Sequence, residues 1–129
     1  MERSEQKYNQ LLSMILPPEV FEYFELRSIE ECEKAYHIYL DEKHRYPEGY
    51  DCLSLTSKGF REEVVIQDFP IRRKDMFLHV RRSKWLVEST GEVISNSFDI
   101  AAKGTRYSDE FAAFLKGLLG YLPDQFQQP

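Results

Sequence analysis

From Asp75 to Val87 the chain reads DMFLHVRRSKWLV, with no glycine or proline to interrupt it. Met76, Leu78 and Val80 alternate with Phe77, His79 and Arg81, and Trp85 falls on the second face. A period of two belongs to a β-strand. A strand must hydrogen-bond along its edges and cover its apolar face, so this run demands neighbouring strands and a packing layer. EEVVIQDF just before it supplies one strand. Pro70 to Lys74 supplies the connecting turn, with Pro70 fixing how the chain enters it. STGE at 89–92 is a second turn and VISNSF a third short strand. Three consecutive strands joined by short turns predict an antiparallel meander.

The packing layer comes from the flanks. YSDEFAAFLKGLLGYL has Ser108 as a helix cap and Phe111, Phe114, Leu115, Leu118 and Leu119 along one face. Near the other end, SEQKYNQLLSMIL carries Tyr8, Leu11, Leu12 and Ile15 at helical spacing, stopped by Pro17-Pro18. PPEVFEYF reads as one short helix turning Val20, Phe21 and Phe24 inward, or as a simple turn. Within ELRSIEECEKAYHIYLDEK, the part SIEECEKAYHIYLDEK keeps Ile29, Cys32, Ala35, Tyr36 and Tyr39 at helical spacing. However, Tyr36, Ile38 and Leu40 alternate with His37, Tyr39 and Asp41, so a strand pair with a turn at Glu33-Lys34 is the reading adopted. HRYPEGYDCLSLTSKGF has little periodicity and reads as a loop. The expected fold class is α+β, a small antiparallel β-meander of about five strands in total with flanking helices. The expected organisation is a loosely attached helix over 1–16, one domain over 17–122 and a flexible tail over 123–129.

Hydrophobic content of 42% and aromatic content of 14% suit a folded chain. No apolar run approaches the roughly 20 residues of a membrane helix. The first residues also lack the pattern of a signal peptide, so the expectation is a cytoplasmic protein without a membrane partner. Cys32, Cys52, His37, His44 and His79 show neither C-x-x-C nor H-x-x-x-H, so no metal or cofactor is expected and the thiols read as buried. There is no P-loop, no G-x-G-x-x-G and no G-x-S-x-G. Glu30-Glu31-Glu33 and Glu62-Glu63 read as solvated charge. His79 reads as a phosphate contact or, more simply, as a sheet-face histidine with a structural partner. No enzyme is expected.

Charge is the remaining signal. The chain carries 17 Lys and Arg against 22 Asp and Glu, a formal net charge of -5. Yet residues 58–84 hold eight basic side chains (Lys58, Arg61, Arg72, Arg73, Lys74, Arg81, Arg82, Lys84) against four acidic ones (Glu62, Glu63, Asp68, Asp75). Both flanking segments are net acidic. In a β-ribbon, Arg72, Arg73 and Lys74 would sit at the tip, Arg81 on one face, and Arg82 and Lys84 on the other. Such a ribbon can clamp phosphates. Alternatively, the cations keep the sheet soluble and pair with Glu62, Glu63 and Asp68 on the preceding strand. Phe77 and Trp85 could stack on a base or pack on the core. The acidic total keeps a protein-interaction role open beside a nucleic-acid one.

SKGFREEVVIQDFPIRRKDMFLHVRRSKWLVESTGEV, followed by AAKGTRYSDEFAAFLK, resembles the N-terminal region of bacterial insertion-sequence transposases. That region is often encoded as a short protein beside the catalytic one. The similarity spans about residues 17 to 117 and is most specific in IQDFPIR, LHVRRSKW and AAKGTR. The same order, a DLP or DFP before a hairpin and then basic residues, occurs in the zinc-finger N-terminal domain of a broader class of DDE-type transposases. Their paired cysteines are reduced here to Cys52 in YDCLSLTSKG and to none in WLVESTGEV. The resemblance implies a degenerate zinc-ribbon-like hairpin, metal-free and held by apolar packing. Arg73 stands where relatives tend to have glycine, and Ser83 interrupts the basic run. The function implied is a non-catalytic DNA-binding module gripping transposon-end DNA, while a separately encoded DDE polypeptide cuts. Arg72, Arg73, Lys74, Arg81, Arg82, Lys84, Lys103 and Arg106 would be the phosphate contacts. The alternative is a protein-interaction module that docks the catalytic subunit or self-associates as a homodimer.

Overall fold

Residues 11, 12, 14–98 and 107–120 are described by the computed structural model. In chain order its elements are α1 (Val20–Tyr23), β1 (Phe24–Glu31), β2 (Ala35–Glu42), β3 (Leu55–Phe60), β4 (Val64–Ile71), β5 (Lys74–Arg81), β6 (Ser83–Val87), β7 (Val93–Ile94) and α2 (Asp109–Leu119). The chain is α+β. A four-stranded sheet has the order β1-β2-β5-β4 and a three-stranded sheet the order β3-β6-β7. Among the described residues no helix is long and apolar enough to cross a membrane.

The strand reading of 24–42 holds. β1 and β2 pair antiparallel around a turn in which Cys32 N–H donates to the Ala35 carbonyl at 2.8 Å. β4 and β5 pair antiparallel as a hairpin. Unlike a simple meander, β2 lies parallel to β5, with Ile38 beside Leu78 and Leu40 beside Val80. A parallel neighbour requires a crossover, and the segment carrying β3 and β4 provides it. This adjacency buries Ile38, Leu40, Met76, Leu78 and Val80 in one layer beneath α2. Leu12 and Leu16 join that core, so the segment expected to be loosely attached contributes to it.

Helix α2 forms as its spacing predicts. The Ser108 hydroxyl accepts from Phe111 N–H at 3.1 Å, and the Glu19 carboxylate in turn accepts from Ser108 N–H at 2.8 Å. Gly120, at φ 81, ends the helix in the left-handed conformation. Phe111, Phe114, Leu115 and Leu118 are buried, each large side chain contributing roughly 1.5–3 kcal/mol. Gly117 faces Ile66 of β4, and a β-carbon there would meet Ile66 Cγ2 at 3.5 Å, ordinary contact. Gly117→Ala is therefore expected to stabilise the fold by up to about 1 kcal/mol, since glycine is a poor interior helix residue. Urea denaturation checks this, and a loss of stability would show that α2 sits closer to β4 than described.

Several expectations are corrected. The run from Asp75 to Val87 is not one strand. It breaks at Arg82, where the chain leaves the large sheet and enters the small one. Its buried positions change phase there, from Met76, Leu78 and Val80 to Ser83, Trp85 and Val87. The stretch read as a loop holds β3, which pairs antiparallel with β6. Only Leu55 of β3 is buried, so its alternation could not show. The small sheet packs Leu55, Trp85 and Val87 into a second core. The described residues thus hold seven strands, where about five were expected. The cysteines are exposed, not buried.

Glu42 secures the joint between the sheets. It is 2% exposed, accepts Ser83 N–H at 2.8 Å and lies 3.6 Å from Arg45. Burial pushes its carboxyl above the usual range, partly offset by the Ser83 hydrogen bond and the charges of Arg45 and Arg82.

Candidate nucleic-acid interface

The hairpin tip is built from Ile71 to Lys74. Arg72 and Arg73 are its two central residues, at φ 49 and φ 70. Two successive positive φ values match the twist of a two-residue hairpin turn of type I′, a conformation that strongly favours Asn-Gly. Arginine carries a β-carbon, so each position stores backbone strain of about 1 kcal/mol or more. Both side chains are exposed, and neither has an ion pair among the described residues. Just before the turn the register slips between Asp68 and Ile71, leaving Phe69 and Pro70 in a bulge on the outer strand β4. Proline is tolerated there because an edge strand need not donate at every residue. The bulge turns Phe69 out to 85% exposure. The tip therefore presents two free guanidinium groups beside an exposed ring, flanked by Asp68 and Asp75.

Lys74 is spatially close to the tip but chemically committed. Its ammonium donates to Glu31 at 2.8 Å and to the Cys32 carbonyl at 3.0 Å, and lies 5.0 Å from the Tyr36 ring. The Glu31 hydrogen bond raises the lysine's pKa, and the same bond lowers that of Glu31.

Arg81 projects from the sheet face turned away from α2, with Phe77 and His79. Its guanidinium donates twice to Asp41 of β2, at 2.7 Å each, and lies over the Phe60 ring at 4.3 Å. Arg27 shares the same carboxylate at 3.3 Å. The cross-strand partners expected from the preceding strand are thus replaced by acids of β1 and β2. His79 has structural partners: Nδ1 contacts Glu63 and Nε2 lies 2.8 Å from His37 Nδ1. Trp85 does not share that face. It is 2% exposed, wedged against His44 and Tyr46, and is core rather than a stacking platform.

Arg82 lies at the break after β5, and Lys84 follows it in β6. Arg82 donates to the Asn96 carbonyl at 2.8 Å and, with Arg61, Ser95, Ser97 and Phe98, lines a polar cleft of about 400 Å³. Lys84 is half-buried and makes no ion pair among the described residues. Seven residue rises separate Lys74 from Arg81, roughly 23 Å at the strand repeat. The basic segment therefore divides into a tip and a far end rather than forming one patch. Lys103 and Arg106 lie outside the described residues. Phe69 was not among the expected site residues, and its only signal was the proline that follows it.

Against α2 and β4 lies an apolar groove of about 480 Å³ lined by Ile15, Ile66, Phe69, Leu78, Ala113 and Phe114, with Asp68, Asp109 and Glu110 at its rim. No family model, curated protein or solved structure matches this chain.

Proposed function

We propose that this chain is a non-catalytic, cytoplasmic DNA-binding module of an insertion-sequence transposase. It grips transposon-end DNA with the β4–β5 tip, and a separately encoded DDE polypeptide supplies the cutting chemistry. The observation that carries this reading is the pair Arg72 and Arg73. They occupy a strained turn that Asn-Gly would fill without cost, and they leave two guanidinium groups free for phosphate. Backbone strain kept at an exposed charged tip points to a use outside the fold. Phe69 beside them can stack on a base or wedge into a groove. Lys84 and the Arg61–Arg82 cleft provide a second phosphate contact, placed so that a duplex must run along β5 to meet both.

The test is retardation of transposon-end duplex by the purified chain at low salt, with unrelated duplex as the comparison. Binding that weakens steeply with salt supports the reading. No binding at low salt opposes it.

The groove between α2 and β4 favours a second reading, docking of the catalytic subunit. It is apolar with an acidic rim, which suits a basic amphipathic protein segment and repels phosphate. Met14 and Phe69 extend its exposed apolar surface. If this is the main role, Phe69→Ser is expected to abolish co-purification with the catalytic polypeptide while the chain stays folded. Unchanged co-purification would remove the groove from consideration.

A further inference from the structure

On the face of the large sheet turned away from α2, three side chains of three chemical kinds converge outside the basic tip. Glu30 of β1 and His37 of β2 are directly opposed in register, so they leave the same face. Cys32 stands in the turn joining the two strands and is exposed. A carboxylate oxygen of Glu30, the Cys32 sulfur and a ring nitrogen of His37 all lie within 4.8 Å of one another. The thiol itself contacts Glu30 Oε1 at 3.7 Å. Ligands around a tetrahedral zinc ion, at 2.0–2.3 Å from it, stand roughly 3.5 Å apart. Small side-chain rotations of the two exposed groups close that difference.

A second, independent arrangement prepares His37 for a metal. Glu63 contacts His79 Nδ1, and a carboxylate only accepts, so that nitrogen carries a proton. With the His79 ring neutral, its Nε2, 2.8 Å from His37 Nδ1, accepts the proton bond from His37. His37 Nε2 is left unprotonated, with its lone pair free. A metal-bound histidine ordinarily donates its other N–H to an oriented acceptor, and this relay supplies one before any ion arrives. The rings are held in place, Tyr39 stacking on His79 at 4.4 Å and Phe77 on His37 at 5.4 Å.

We propose that Glu30, Cys32 and His37 bind a divalent transition-metal ion of the zinc class, with His79 and Glu63 as the positioning relay. Sulfur, imidazole and carboxylate together select zinc or cobalt over magnesium or calcium. Three protein ligands leave a fourth position for water or for a group from a partner. The three ligands lie close together in the β1–β2 hairpin, but they show neither C-x-x-C nor H-x-x-x-H spacing, and the relay comes from β5 alongside.

Cobalt(II), which reports thiolate ligation by a charge-transfer absorption band, is the probe, titrated into the full chain and then displaced by zinc. The expected result is a band saturating at one equivalent, with zinc raising the thermal midpoint. Cys32→Ser is expected to abolish the band and Cys52→Ser to leave it, both variants keeping the wild-type circular dichroism. His79→Ala is expected to weaken cobalt binding by roughly 10- to 100-fold. No band in the wild-type chain, or a band that survives Cys32→Ser, overturns the site. Unchanged affinity in His79→Ala overturns the relay.

Discussion

Arg72→Asn combined with Arg73→Gly is expected to stabilise the fold and to cost most of the proposed DNA affinity. Both residues hold positive φ in a two-residue hairpin turn, and Asn-Gly is the pair that such a turn prefers. Relief of that strain is expected to add about 1–2 kcal/mol in urea denaturation, with the denaturant slope unchanged. Neither side chain has an ion pair to lose among the described residues, so little opposes the gain. Affinity moves the other way. Each phosphate contact contributes about 0.9 to the slope of log affinity against log salt. Losing two contacts is therefore expected to weaken binding by roughly 10- to 100-fold near 0.1 M salt. A variant that is less stable would show that the turn is unstrained, while one that binds as tightly would show that the tip is not the contact.

The second large effect lies at the joint between the sheets. Glu42→Ala is expected to destabilise the chain by about 2–4 kcal/mol, because it removes the acceptor of the buried Ser83 N–H and the counter-charge of the half-buried Arg45 and Arg82. Glu42→Gln keeps an acceptor for Ser83 and is expected to cost distinctly less. The pH dependence separates the terms. Burial raises the folded carboxyl above 4.5, so the folded chain holds that proton more tightly than the unfolded one. The contribution of Glu42 therefore rises as pH falls through its folded pKa and is complete below the unfolded value. Glu19 and Glu31 run oppositely. Hydrogen bonds to Ser108 and Lys74 depress their pKa values, so their contribution is present above 4.5 and fades as pH falls. Subtracting the Glu42→Gln stability curve from the wild-type curve should leave a difference that favours the wild type more at acid pH. A flat difference would mean that Glu42 is not buried as described.

These contrasts show what the residues made legible. Helix α2 was readable because its cap, apolar face and stop agree locally. The pairing of β1 with β2 and of β4 with β5 was readable because each hairpin alternates around a short turn. The parallel placement of β2 beside β5 was not, since no local pattern encodes a contact made through a crossover. That placement decides which cations are free. It brings Asp41 to Arg81 and Glu31 to Lys74, so two cations of the expected interface are held within the sheet. The break at Arg82 did leave a trace, the change of phase in the buried positions, but no glycine or proline marks it. The tip was legible as charge and not as conformation, because arginine pairs rarely fill a type I′ turn.

The most direct test is the salt dependence of affinity for a transposon-end duplex, measured by fluorescence anisotropy on the wild-type chain and on the Arg72→Asn, Arg73→Gly variant. If Arg72, Arg73 and Lys84 are the free contacts, the wild-type slope of log affinity against log salt is expected near -3, and the variant's is shallower by about 2. Equal slopes in the two proteins, or no affinity at low salt, would contradict the account.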